Sequence, residues 1–172
     1  MNGILKSEKI RLLSPEMDSL RLGMGWSEDD LEKPQILIES TYGQSHPGSA
    51  HLDKFARAAE KGVSENGGKG ARYYVTDICD GMAQGHDGIN YSLASRDMIA
   101  NMIEIHANAT TFDAGVFIAS CDKSVPAILM GIGRVNIPSI VVTGGVMDAG
   151  PNLLTLEQIG AYSAMFERGE IS

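Results

Sequence analysis

The chain has 172 residues, enough for one domain with a real core, and its hydrophobic share of 43% and charged share of 21% are those of an ordinary globular protein. A formal charge of −8 argues against nucleic acid or an anionic membrane surface as a partner. No apolar run approaches the roughly 18 residues of a membrane-spanning helix, the segment from Met1 to Arg11 lacks the apolar centre of a secretory signal, and two cysteines in such a chain read as reduced thiols of a cytoplasmic protein.

Residues 1–33 read as a polar, irregular or helical segment, with a short helix after Ser27; Ser27 suits an N-cap, and Asp29, Asp30 and Glu32 suit a first turn. A first strand spans Gln35 to Ser40. The loop from Thr41 to Ser49 is rich in Gly, Ser and His. A helix follows from about His51 to Glu65, with Leu52, Phe55, Ala59 and Val63 on one face and Asn66-Gly67-Gly68 as its stop. A second strand, Tyr73 to Ile78, closes on Cys79. The glycine-rich stretch from Asp80 to Tyr91 reads as a loop over a site. The next helix runs from about Ser95 to Ala109, with Met98, Ile99, Met102, Ile103 and His106 as its buried stripe. A third strand, Gly115 to Ser120, closes on Cys121. Pro126 sits in the first turn of a helix that reaches about Val135, where its missing N–H costs little. Ser139 to Thr143 is a fourth strand, and a last helix starts near Thr155, with Leu156, Ile159, Tyr162 and Phe166 at helical spacing. This alternation of strand and helix predicts an α/β fold over residues 34–172, with a mostly parallel sheet and helices on both faces.

Each cysteine is followed by aspartate at a predicted strand end, as Cys79-Asp80 and Cys121-Asp122, and Lys123 follows the second pair. Ligands bind at the carboxyl ends of strands in open α/β sheets. A thiolate suits iron or zinc, and a carboxylate suits Mg²⁺. The same residues also fit buried structural cysteines beside surface charges. His46, His51 and His86 lie in or beside the glycine-rich loops and are candidates for metal binding or proton transfer, with turn or N-cap duty the better reading for His51. His106, on an apolar helix face, reads as a satisfied core histidine. No Gly-x-Gly-x-x-Gly fingerprint, Walker motif or Gly-x-Ser-x-Gly elbow stands between a strand and a helix, which disfavours the common nucleotide enzymes and the α/β-hydrolases.

Three segments together carry a resemblance: Ile78-Cys79-Asp80-Gly81-Met82-Ala83-Gln84-Gly85-His86, Tyr91-Ser92-Leu93-Ala94-Ser95-Arg96-Asp97 and Ser120-Cys121-Asp122-Lys123-Ser124-Val125-Pro126. With His46-Pro47-Gly48-Ser49-Ala50-His51-Leu52 and Arg134-Val135-Asn136-Ile137-Pro138, they resemble the dihydroxy-acid dehydratase and phosphogluconate dehydratase family from about Gly23 onward. The resemblance implies the front of the larger N-terminal domain of a longer, homodimeric enzyme. It implies an iron–sulfur cluster with Cys121 as a ligand, and Mg²⁺ held by Asp80, Asp122 and a carbamylated Lys123 that is also the catalytic residue. Cys79 and His86 are further possible ligands. Gly48 stands where members with a smaller cluster carry cysteine, which favours the 4Fe-4S form over 2Fe-2S. A further cysteine ligand and the serine that takes the α-proton lie beyond Ser172 by this resemblance. The chain is thus expected to be a truncated piece, inactive alone.

The implied reaction is dehydration of a 2,3-dihydroxy acid to a 2-keto acid. The leading expectation is the dihydroxy-acid dehydratase of isoleucine and valine biosynthesis. The alternatives are a sugar-acid (aldonate or phosphogluconate) dehydratase and a non-catalytic metal-binding fragment.

Overall fold

The computed structural model describes residues 4–172, so Met1 to Gly3 of the N-terminal segment lie outside the described residues. The fold is α/β, with one sheet of four parallel strands: β1 (Gln35–Ser40), β2 (Lys69–Tyr74), β3 (Ala114–Ala119) and β4 (Ser139–Thr143), in the order β2-β1-β3-β4. β1 and β3 are central, and Leu37, Ile38, Phe117 and Ile118 are fully buried, as befits strands covered on both faces. The chain winds outward from β1 to β2, then crosses back to β3. Between β1 and β3 the order reverses, which opens the crevice where this architecture binds ligands.

The alternation of side chains along β1 sorts the helices. Ile38 packs with Leu52 and Ala56 of α4 (Leu52–Glu65) and with Ile118. Leu37 and Phe117 face the other way, onto Ile99, Ile103 and Ala107 of α6 (Ser92–Ala109) and Ala127 and Ile128 of α7 (Ser124–Val135). Helices α6 and α7 approach closely because Gly131 has no side chain; a Cβ there would sit 2.7 Å from Ile103 Cγ2. A short helix, α5 (Asp80–Ala83), and a 3₁₀ turn, Asp87–Tyr91, join β2 to α6, and α8 (Leu156–Glu167) ends the chain with a capping box at Thr155.

The structure corrects four local expectations. Among its described residues the N-terminal segment holds three helices, α1 (Lys6–Leu13), α2 (Glu16–Gly23) and α3 (Glu28–Glu32), where one was expected. The expected one, α3, has Ser27 as its cap, in a capping box with Asp30. The first two are too short and polar to signal themselves, and tertiary contacts secure them: Ser7 N–H and Oγ donate to Asp113, which also accepts from Gln35 N–H, and Arg11 forks onto Asp18.

β2 starts at Lys69 and ends at Tyr74, not Cys79. As an edge strand it pairs with β1 alone, and its ladder stops where β1 stops, at Ser40. Thr41 N–H turns instead to Ile118 C=O. Met98 is 57% exposed, because the buried stripe of α6 runs through Ile99, Ile103 and Ala107, four residues apart. The predicted glycine-rich loop is largely helical turns.

Candidate active site

The loops after β1 and β3, on the two sides of the crevice, meet the segment that follows β2. Leaving the sheet at Val75, this segment runs extended to Cys79, and Asp80 opens α5. After β3, Cys121 takes a φ of +88°, a left-handed backbone that side chains other than glycine adopt at a cost of order 1–3 kcal/mol. Asp122 and Lys123 follow that turn, with Lys123 at the N-cap of α7.

Lys123 joins the two acids. Its ammonium donates to Asp80 Oδ2 at 2.8 Å and to Asp122 Oδ2 at 2.7 Å. Asp80 Oδ2 also accepts from Ser92 Oγ at 2.8 Å, while Oδ1 is buried and, among the described residues, has no partner. Hydrogen bonds to Asp122 and Asp80 raise the Lys123 pKa, so in this state it is firmly a cation. Lys123 in turn lowers the pKa of Asp122. The three residues that the sequence analysis grouped therefore occupy one place, although 43 positions separate Asp80 from Lys123.

The thiols are close by. Cys79 and Cys121 both line a cavity of about 310 Å³, together with His46, Gly48, Ser120 and Gly145. Burial, and then acceptance of the S–H by Asp122 Oδ1 at 3.4 Å, raises the pKa of the Cys121 thiol; backbone N–H groups of Asp122 and Lys123 act against this. His86 is turned to local use: its Nδ1 accepts from Gly88 N–H, and Nε2 lies 3.0 Å from Met82 C=O. His51 spans Pro47 C=O and Gly144 C=O, which ties the β1 loop to the β4 loop. His106 lies 2.9 Å from buried Glu39 and packs on the Tyr73 ring, as a core histidine should.

A hub under the site went unnoticed in the sequence. Asp77, 4% exposed, accepts from Ser45 Oγ at 2.5 Å and Ser124 Oγ at 2.7 Å, and lies 3.1 Å from His46 Nε2. Because His46 Nδ1 accepts from Gly48 N–H, Nε2 carries the proton and donates it to Asp77. Ser120 Oγ adds a bond to Gly48 C=O. Asp77 thus pins the β1 loop to the start of α7, while its own segment carries Cys79 and Asp80. The available signal was a carboxylate inside the apolar run Val75-Thr76-Asp77-Ile78.

Among the described residues, no three His, Cys, Asp or Glu side chains form a group that could hold a metal ion. The donors nonetheless fit the expected groups in kind. Two carboxylates face a cation, one with an unused buried oxygen, and a third oxygen donor would come from a carbamate on Lys123. The cavity presents two thiols, the kind of donor of which an iron–sulfur cluster takes roughly four.

The family model described as dihydroxy-acid/6-phosphogluconate dehydratase N-terminal matches residues 33–172. A dihydroxy-acid dehydratase of Methanococcus aeolicus is 46% identical over 132 residues, 77% of this chain and 24% of that protein. One from Halothermothrix orenii is 47% identical over the same shares. Dihydroxy-acid dehydratase 1 of Methanosarcina acetivorans is 41% identical over 153 residues, 85% of this chain and 28% of that protein. The chain spans about a quarter of the length of these curated relatives.

Proposed function

The chain belongs to the dihydroxy-acid/6-phosphogluconate dehydratase family, in its N-terminal part, and on that premise we propose that it supplies one wall of a hydro-lyase active site that converts a 2,3-dihydroxy carboxylic acid into a 2-keto acid. The observation that supports this best is the meeting of Asp80, Asp122 and Lys123 beside the cavity lined by Cys79 and Cys121. The proposed substrate is the dihydroxy acid of isoleucine and valine synthesis, since the similar curated proteins are named dihydroxy-acid dehydratases. A sugar-acid dehydratase is the second reading, because the matching family also includes 6-phosphogluconate dehydratase. The protein is further proposed to act as a cytoplasmic homodimer; no helix of the described residues is long and apolar enough to cross a membrane.

When bound, Mg²⁺ and a 4Fe-4S cluster supply Lewis acidity toward the substrate's oxygens and its leaving hydroxyl. Asp80, Asp122 and carbamylated Lys123 are proposed to hold the first, and Cys121, with Cys79 as a candidate, the second. The chain's own part is positioning. Ser92 fixes one oxygen of Asp80 and leaves the other free, while Asp122, more exposed, can swing. The left-handed turn at Cys121 aims its thiol into the cavity and Lys123 away from it, toward Asp80. Only a neutral amine takes up CO₂, and Lys123 is held as an ammonium by two carboxylates. Its carbamylation therefore requires another cation to take over their charge.

The test is direct. With ¹³C-bicarbonate, a carbamate resonance is expected only when Mg²⁺ is present, and it should vanish in Lys123→Arg, whose guanidinium stays charged. Asp122→Ala should lose Mg²⁺ and spare the visible absorption of the reconstituted cluster; Cys121→Ser should do the reverse. The protein extended to the length of its relatives should form 2-keto acid from 2,3-dihydroxy-isovalerate. Normal Mg²⁺ binding and turnover in Lys123→Arg would remove that lysine from the site.

A further inference from the structure

A second cavity, of about 340 Å³, opens on the other side of the molecule's edge strand, between the α2–α3 segment and β2. It shares no lining residue with the thiol-lined cavity. Part of its wall, Arg21 and Trp26, precedes residue 33, where the family match begins.

Arg21 sets its character. This residue is only 4% exposed, yet among the described residues no carboxylate pairs with it. Among the described residues its side chain makes one hydrogen bond, from Nη2 to the neutral Oε1 of Gln35 at 3.2 Å. The guanidinium lies 4.2 Å from the centre of the Trp26 ring and 5.5 Å from that of Phe112. Among the described residues, Nε and Nη1 have no hydrogen-bond partner. Burial without an acid also lowers its pKa, the mark of a cation that lacks compensation. The other charges on the wall cancel, since Arg72 Nε pairs with Glu60 Oε2 at 2.9 Å. The cavity thus carries one net positive charge in a chain of net −8. Burying an unpaired charge costs several kcal/mol, so such a group is ordinarily matched by an anion.

We infer that this cavity is a binding site for a small monocarboxylate, with Arg21 as its charge partner and the aromatic wall of Trp26, Tyr73 and Tyr74 around its apolar part. A carboxylate can take an edge of the guanidinium made by Nε or Nη1 together with the second N–H of Nη2. One negative charge balances the site, whereas a phosphate dianion overshoots it. The volume lies at the lower end of small-molecule sites, which limits the ligand to a few carbons beyond its carboxylate.

Trp26 is the chain's only tryptophan and touches Arg21, so its fluorescence reports on the site. Titration with isobutyrate is expected to give a saturable change, and isobutyramide, of the same shape but neutral, none. Arg21→Met should weaken isobutyrate at least about tenfold, the effect of losing a charged hydrogen-bond partner. If that variant does not fold, the comparison of acid with amide on the unaltered chain still decides. An equal response to the amide, a response that survives Arg21→Met, or tighter binding of inorganic phosphate would overturn the assignment. So would loss of the response in the protein extended to its relatives' length, since the anion would then come from the protein itself.

Discussion

Replacing Glu39 by glutamine should make this protein less sensitive to alkali. Glu39 lies in the central strand β1, fully buried, with Oε2 2.9 Å from His106 Nδ1 and Oε1 without a partner among the described residues. Tyr73, on the neighbouring strand, is the other titratable group beside the pair. Burial raises the pKa of Glu39 from 4.5 to about 8, so the folded protein keeps it protonated where the unfolded chain has lost that proton. Stability from this group is complete below pH 4.5 and is lost as pH rises through about 8. Burial lowers the His106 pKa from 6.5, so its contribution is present above pH 6.5 and is lost only as pH falls through the lowered value. Between pH 6.5 and 8 the glutamate slope therefore acts alone, at about 1.4 kcal/mol per unit, or about 2 kcal/mol over the window. A glutamine keeps the shape and can donate an N–H to His106 in place of the protonated carboxyl. Urea unfolding at several pH values should show a fall in stability for the wild type and a flat profile for Glu39→Gln. A wild-type profile that rises across this window, or a variant that falls in parallel, would refute the reasoning.

Asp77→Ala should lower stability by about 2–4 kcal/mol in urea unfolding, because it strands the buried His46 and Ser124 and the half-buried Ser45 at once. The two glycines of α7 should answer oppositely to alanine. Gly131→Ala drives a methyl into Ile103 and should cost about 1–3 kcal/mol, whereas Gly133→Ala meets nothing within 4 Å and should gain about 0.5–1 kcal/mol of helix stability. Thermal melts of the pair check both signs. The 172-residue chain, reconstituted anaerobically with iron, sulfide and Mg²⁺, should produce no 2-keto acid, since its two cysteines fall short of the roughly four ligands a cluster takes. Clear turnover would overturn that expectation.

The parallel sheet was legible because its central strands are covered on both faces and read as apolar runs, and because glycines and capping residues punctuate the helices. Gln35–Ser40 and Ser139–Thr143 appear in the structure with the bounds read from sequence. β2 was misplaced for a physical reason: Lys69-Gly70-Ala71-Arg72 has little strand character of its own and is a strand only because β1 lies beside it. Tyr73 to Ile78, rich in β-formers, extends past the end of that neighbour. The meeting of Asp80 with Lys123 was legible through the repeated Cys-Asp pattern. The Asp77 hub and the Arg21 cavity were not, since each depends on contacts between segments that no local period or spacing encodes.

The far border of the sheet has a practical consequence. Among the described residues β4 pairs with β3 alone, and along it Ile140 is 63% and Val141 37% exposed. A short row of unpaired peptide groups flanked by β-branched side chains is a template onto which another extended chain can add. Pro138, just before the strand, shortens that template by one donor, and like charges on neighbouring molecules keep copies apart at low salt. Purification in concentrated sulfate removes the second protection while strengthening apolar association. Recovery of this polypeptide should therefore depend on buffer choice, with dilute, low-salt conditions yielding the dispersed material.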